Sequence, residues 1–372
     1  MLFGLLVILF LNGIISFANN VKTTKDITGL WALFSVNYIF FLSISQTGIV
    51  FSAIMRVVKS EWGRYFSRLG EILTLSFIPV GVVTFVILYG HGIDYLFHWA
   101  SNHPSFIDDN DLSLSPWMGK GSFLWRHIIT MALFYVASYI YFRTGRIEEQ
   151  GMRVPYDIKK RLNILASIVI VSFVLVNTTI AWDFGMVIVP HWESSLFPPY
   201  FWVGNIYAGA AFLLIVALIF SGTRIEKEYL SSMGKLLLGY AMLWIYMFWS
   251  QHIVIWYEDL PNLTEPLYKQ MRGNYRSAFY LMIVTAFILP FMALIQRRIR
   301  FDVKKMIVVA SIICIGIWTN RYLMIFPVFS DGSIPIVPTW IGISLILAFL
   351  AAVLLSIILF LRFFPDIIVI RK

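Results

Sequence analysis

The sequence predicts an all-α integral membrane protein of about ten transmembrane helices, eight of them in two four-helix bundles related by a parallel repeat, flanked by helices one and ten. Three observations carry this reading: an apolar composition, its division into membrane-length runs, and the placement of the charges between them. Of 372 residues, 59% are hydrophobic and 13% charged, with a mean hydropathy of +0.79. An ordinary soluble domain carries about 25% charged residues. A water-exposed fold of this length cannot hide so much apolar surface, whereas lipid tails are as apolar as the side chains that face them.

Crossing about 30 Å of hydrocarbon takes roughly 17–25 helical residues. Runs of that length lie near 2–18, 30–55, 70–97, 122–142, 162–182, 198–220, 236–256, 277–296, 306–326 and 338–362. The first has no basic residue before it and is followed by Lys22 and Lys25. It reads as an uncleaved span, because Ser16-Phe17-Ala18-Asn19 poorly matches a small-x-small cleavage site.

With the N-terminus inside, the cytoplasmic side receives the loops 56–70, 143–161, 221–235 and 297–305 and the C-terminus. These hold 21 of the 29 Lys and Arg residues. The outer side holds the other 8, with Asp108, Asp109 and Asp111 grouped in its longest loop. This is the positive-inside pattern, and it accounts for the net charge of +9 without a nucleic-acid partner.

Helices two to five and six to nine read as two copies of one unit. Asn37 to Arg56 and Asn205 to Arg224 both span 19 positions, ending Phe51-Ser52-Ala53-Ile54-Met55-Arg56 and Phe220-Ser221-Gly222-Thr223-Arg224. The next helices open Leu69-Gly70-Glu71 and Met233-Gly234-Lys235, the third pair Trp125-Arg126 and Tyr275-Arg276, and the fourth pair closes at Trp182-Asp183 and Asn320-Arg321. An even number of helices per copy preserves orientation, so the repeat is parallel. The chain thus divides into an N-terminal helix and loop (1–29), a first bundle (30–183), a second bundle (184–326) and a C-terminal helix (327–372).

The lone Cys314 and six histidines without HxxH or HxxxH spacing offer no metal, covalent-haem or iron–sulfur site. All six histidines fall on the outer half in this topology, which removes a dihaem cytochrome reading. No Walker A loop, GxGxxG turn or nucleophile elbow is present. Ionisable groups near hydrocarbon mark proton, ion or substrate paths by default. Asp94, Asp183, Glu193 and Glu258 join the histidines on the outer half.

His127 begins helix four and Asp183 ends helix five, at one level. Such a pair can take the two protons of a quinol as its electrons leave; the alternative is an Asp183 that caps a helix or pairs with Arg126. His191 and Glu193 flank Trp192 in the next loop and fit either a quinol rim or a tryptophan anchor. In helix seven, Gln251, His252 and Glu258 suggest a proton path, or a histidine that only donates to a neighbouring helix. Glu71 fits a proton entry on the inner half or a favourable charge at a helix N-terminus.

Two stretches carry a family resemblance. Trp182-Asp183-Phe184-Gly185-Met186 with Pro190-His191-Trp192-Glu193-Ser194-Ser195-Leu196-Phe197 is one. The other is Gly234-Lys235-Leu236-Leu237 with Trp249-Ser250-Gln251-His252, Ile255-Trp256-Tyr257 and Leu260-Pro261. Both resemble the NrfD/polysulfide-reductase membrane subunits, and within them the second, smaller NrfD-like subunit of bacterial alternative complex III. His252 stands where an aromatic is usual, Glu193 where Tyr or Phe is, and Phe184 where Trp is.

The resemblance implies a cofactor-free, multi-pass subunit of the bacterial inner membrane, both termini cytoplasmic, without catalysis of its own. It implies quinol or menaquinol as substrate near the outer face, a sister NrfD-like subunit, and partner subunits carrying iron–sulfur clusters and haem c. Carried over, Asp183, His191 and Glu193 fall in the first signature, and Gln251, His252 and Trp256 in the second. Other readings are the anchor of a molybdopterin polysulfide- or nitrite-type reductase, a secondary transporter, and a purely structural subunit. Pro79 and Pro290, in non-equivalent helices, give no broken pair of the transporter kind.

Overall fold

In the computed structural model, residues 2–23, 27–97, 119–150, 156–189, 192–221, 225–329 and 340–364 are described. All the regular structure among them is helical: α1 (Leu2–Thr23), α2 (Ile27–Val57), α3 (Glu61–Leu96), α4 (Lys120–Gln150), α5 (Tyr156–Met186) and α6 (Phe197–Ser221). After these come α7 (Lys227–Glu258), α8 (Pro261–Met271), α9 (Gly273–Ile295), α10 (Val303–Val328) and α11 (Trp340–Phe363). Among the described residues, nine helices are long and apolar enough to cross a membrane. The remaining predicted span lies in α7, whose 32 residues suffice in length but whose Ser, Gln, Gly and Tyr residues dilute its apolar character.

The central helices pack in two groups. In the first unit α2 packs on α3 and α5, and α4 on α5 and α3; in the second α6 packs on α7 and α10, and α9 on α10 and α7. The units join through α2 and α6, each of which also touches the last helix of the other unit. Outside them α1 pairs with α11 along its length, leaving Leu5, Ile8, Leu11 and Ile15 exposed on the lipid-facing side.

Central position explains the character of α2. A helix apolar on all faces belongs inside a bundle, and every residue from Gly29 to Ala53 is buried. Its 31 residues reach about 46 Å. The α2–α3 crossing needs two glycines, because a Cβ at Gly48 would collide with the Gly70 carbonyl, and one at Gly70 with that of Gly48. Thr74 then bridges the helices, donating to the Ser45 carbonyl at 2.6 Å and accepting from the Ile49 amide at 2.9 Å.

Three helices contain a wider π turn: Leu88–Gly92 in α3, Trp182–Met186 at the end of α5 and Val284–Ile288 in α9. The turn in α9 precedes Pro290, which has no N–H to continue the ladder. In α3 the break is at Phe77, just before Pro79. At the other end of the bundles Asp302 caps α10, accepting from the Lys305 amide at 3.2 Å, and that bond holds its carboxyl below the ordinary carboxylate range.

Candidate functional site

The loops rich in Lys and Arg mark a basic end of the bundles; the site lies at the opposite, Asp183 end. Neighbours on a helix point about 100° apart, so Arg126 and His127 serve different partners. Arg126 turns to α5 and grips Asp183, its Nε donating at 3.1 and 3.3 Å and its terminal nitrogen at 2.5 Å. Both side chains are withdrawn from solvent, at 8% and 1% exposure. The π turn that carries Asp183 widens the last turn of α5 and brings the carboxylate inward, the kind of local irregularity that recurs at functional sites.

His127 turns instead to α2, where the Tyr38 hydroxyl meets its Nε2 at 2.8 Å. Its ring lies parallel to Phe85 at 3.9 Å. Phe123 and Phe184 complete an aromatic wall around the pair, Phe184 lying 6.0 Å from Tyr38 and directly following Asp183. The two predicted proton acceptors are thus held by different partners, His127 by Tyr38 and Asp183 by Arg126.

Toward the basic end, Glu71 is buried on α3. It accepts from Ser52 at 2.6 Å and from Arg68 at 2.7 Å, and Ser52 also meets the Tyr141 hydroxyl at 3.2 Å. Ser52 and Tyr38 are 14 positions apart on α2, about 21 Å of helix. The buried polar groups Ser43, Ser45, Gln46 and Thr47 line that interval. The Tyr135 hydroxyl sits beside Gln46 and Ser45, outside hydrogen-bond geometry to either.

A second network was not singled out from sequence. Asn177 of α5 donates to Gln46 Oε1 at 3.1 Å, and Asn205 of α6 donates to Asn177 Oδ1 at 2.8 Å. Asn205 in turn accepts from Arg321 of α10 at 2.9 Å. Arg321 has no exposed surface; it also donates to the Phe201 carbonyl at 2.6 Å and to Asn320 Oδ1 at 2.8 Å, with Phe201 under its guanidinium at 4.0 Å. Asn320 donates to the Tyr200 hydroxyl at 2.6 Å. An arginine inside an apolar helix is the available signal, and the repeat's Asn205 and Asn320-Arg321 mark the place.

The other predicted residues scatter. Asp94 is exposed and pairs with Lys120. Glu193 and Glu258 are exposed, and His191 lies outside the described residues. Trp192 is buried and donates from Nε1 to the Leu263 carbonyl at 3.1 Å, so it fastens the α5–α6 loop to α8. Gln251 is buried and accepts from Ser194 at 2.9 Å. His252 bonds the Phe248 carbonyl of its own helix at 2.8 Å through Nδ1, and its Nε2 has no partner. With Trp249, Trp256, Leu267 and Met271 it lines an apolar cavity of about 380 Å³ between α7 and α8. Among the described residues no three His, Cys, Asp or Glu side chains converge as metal ligands would.

The family model described as polysulphide reductase, NrfD, matches residues 20–330, which takes in both four-helix units and excludes the α1 core and α11. No curated protein matches the chain. The chain belongs to the NrfD, polysulphide reductase, family, the multi-span membrane subunits of quinol-linked oxidoreductases.

Proposed function

We propose that this chain is the cofactor-free membrane subunit of a quinol:acceptor oxidoreductase of the alternative complex III type, with its quinol site at the Asp183 end of the first bundle. The observation that carries the reading is the buried pairing of Tyr38 with His127 beside that of Arg126 with Asp183. The positive-inside pattern puts the basic end in the cytoplasm with both termini, so the site faces outward in the bacterial inner membrane.

Oxidation of a quinol to its quinone releases two electrons and two protons. Partner subunits carrying iron–sulfur clusters and haem c, beside a sister NrfD-like chain, would take up the electrons. The protons need bases. His127 has an imidazole nitrogen for one, with Tyr38 holding the ring in place. The Asp183 carboxylate, held by Arg126, takes the other when the guanidinium releases it. Phe85, Phe123 and Phe184 supply an apolar wall suited to a flat aromatic head group. Glu71, Ser52 and the polar residues of α2 form a route between this site and the cytoplasmic side.

The family description equally suits the anchor of a molybdopterin-containing polysulfide-type reductase. Purification of the tagged protein in mild detergent, with a redox difference spectrum and mass spectrometry, separates the two. Haem c and iron–sulfur subunits are expected; a molybdopterin subunit without haem c would favour the second reading, and a lone colourless protein would remove both.

A further inference from the structure

The two copies of the repeat differ in sign at both ends. The first closes its fourth helix with Asp183, neutralised by Arg126; the second closes with Arg321. The first opens its second helix with buried Glu71; the second has exposed Lys235 there. Among the described residues no carboxylate reaches Arg321, and every oxygen it contacts is neutral. Its Nε is buried without a partner. An uncompensated charge in a membrane interior is expensive and marks function by default.

The position of Arg321 supplies the function. Gln46 belongs to the polar run of α2 that leads toward Tyr38 and His127. It is also the start of a branch that leaves the first bundle through Asn177 and Asn205, meets Arg321, and ends at Asn320 and Tyr200 in the second. Amides and hydroxyls both donate and accept, and with transient water such a branch would carry protons past the site. A guanidinium has only donors and keeps its charge at any physiological pH. It therefore interrupts hydrogen-bond relay and repels an approaching cation, as an arginine does in pores that exclude protons.

We propose that Arg321 is a fixed-charge barrier that closes the second bundle to protons, so that protons reach the Asp183 end only through the first bundle. The inference stands apart from the quinol reading, because passive permeability is measured without quinol.

The test is proton flux across liposomes holding the purified complex, driven by a potassium diffusion potential and read with an entrapped pH dye. Arg321→Gln is expected to raise the flux by about tenfold or more. Arg321→Lys, which keeps the charge, is expected to stay tight. Adding Asn205→Leu to Arg321→Gln cuts the branch and is expected to return the flux to its starting level. An assembled Arg321→Gln complex as tight as the parent, or Arg321→Lys leaking as much as Arg321→Gln, overturns the proposal. Should Arg321→Gln not assemble, Asn320→Asp decides: it sets a carboxylate against the guanidinium while keeping the scaffold, so a leak supports the barrier and a tight complex overturns it.

Discussion

Replacing Arg126 with methionine strands the Asp183 carboxylate, which is 1% exposed and accepts three bonds from the guanidinium at 2.5–3.3 Å. Breaking a buried ion pair from one side costs about 3–5 kcal/mol, because the survivor keeps its desolvation penalty. Asp183→Leu takes the anion away from the guanidinium in turn and is expected to be destabilising as well. Removing both partners leaves two apolar side chains, a change that is often near neutral. The double variant Arg126→Met with Asp183→Leu should therefore be more stable than either single change, with a coupling energy above about 2 kcal/mol. Equilibrium unfolding in mixed detergent and SDS micelles measures all four corners of the cycle. Single costs that add to within about 0.5 kcal/mol would show that the two groups do not depend on each other, and would refute the argument.

Further predictions follow from other contacts. Asn177→Leu orphans Gln46 Oε1 and the Asn205 amide nitrogen, and is expected to cost about 2–4 kcal/mol in the same unfolding assay. Gly48→Leu drives a side chain into the Gly70 backbone and should either abolish assembly or cost about 3 kcal/mol or more, read as loss of the monodisperse peak. Glu71→Gln keeps the Ser52 contact but removes the charge that pairs with Arg68, so it should slow proton uptake from the cytoplasmic side and also lower the unfolding midpoint. Asp302 has its carboxyl held low by the Lys305 amide, so its capping contribution is full at neutral pH and fades as pH falls through the depressed value. The midpoint gap between Asp302→Ala and the parent should accordingly be largest near pH 7 and close below about pH 4.

Much of the fold can be read from the chain because a membrane imposes a single length scale. Runs such as 30–55 and 306–326 declare themselves. The α7 span is less plainly apolar because Tyr240, Tyr246, Ser250, Gln251 and His252 interrupt its run. The site is less legible. Arg126 and Asp183 lie 57 positions apart, and the sequence leaves their pairing open beside a helix cap or a partnership with His127. Helical rotation decides between them: His127 looks toward Tyr38, 89 residues upstream, a partner that no local pattern announces. Arg321 was visible as a repeat landmark. Its role depends on Asn205, 116 residues away, and on a branch of side chains that exists only once α2, α5, α6 and α10 have packed together.

Quinol oxidation by the intact complex is the most direct measurement of the central claim. His127→Ala and Asp183→Asn are introduced separately and together, with haem and iron–sulfur spectra recorded to establish that the complex is assembled. Each single change is expected to lower turnover by about 10²-fold or more, and the pair to bring it near background. Turnover equal to the parent's in an assembled double variant would contradict the account and move the quinol site away from the first bundle.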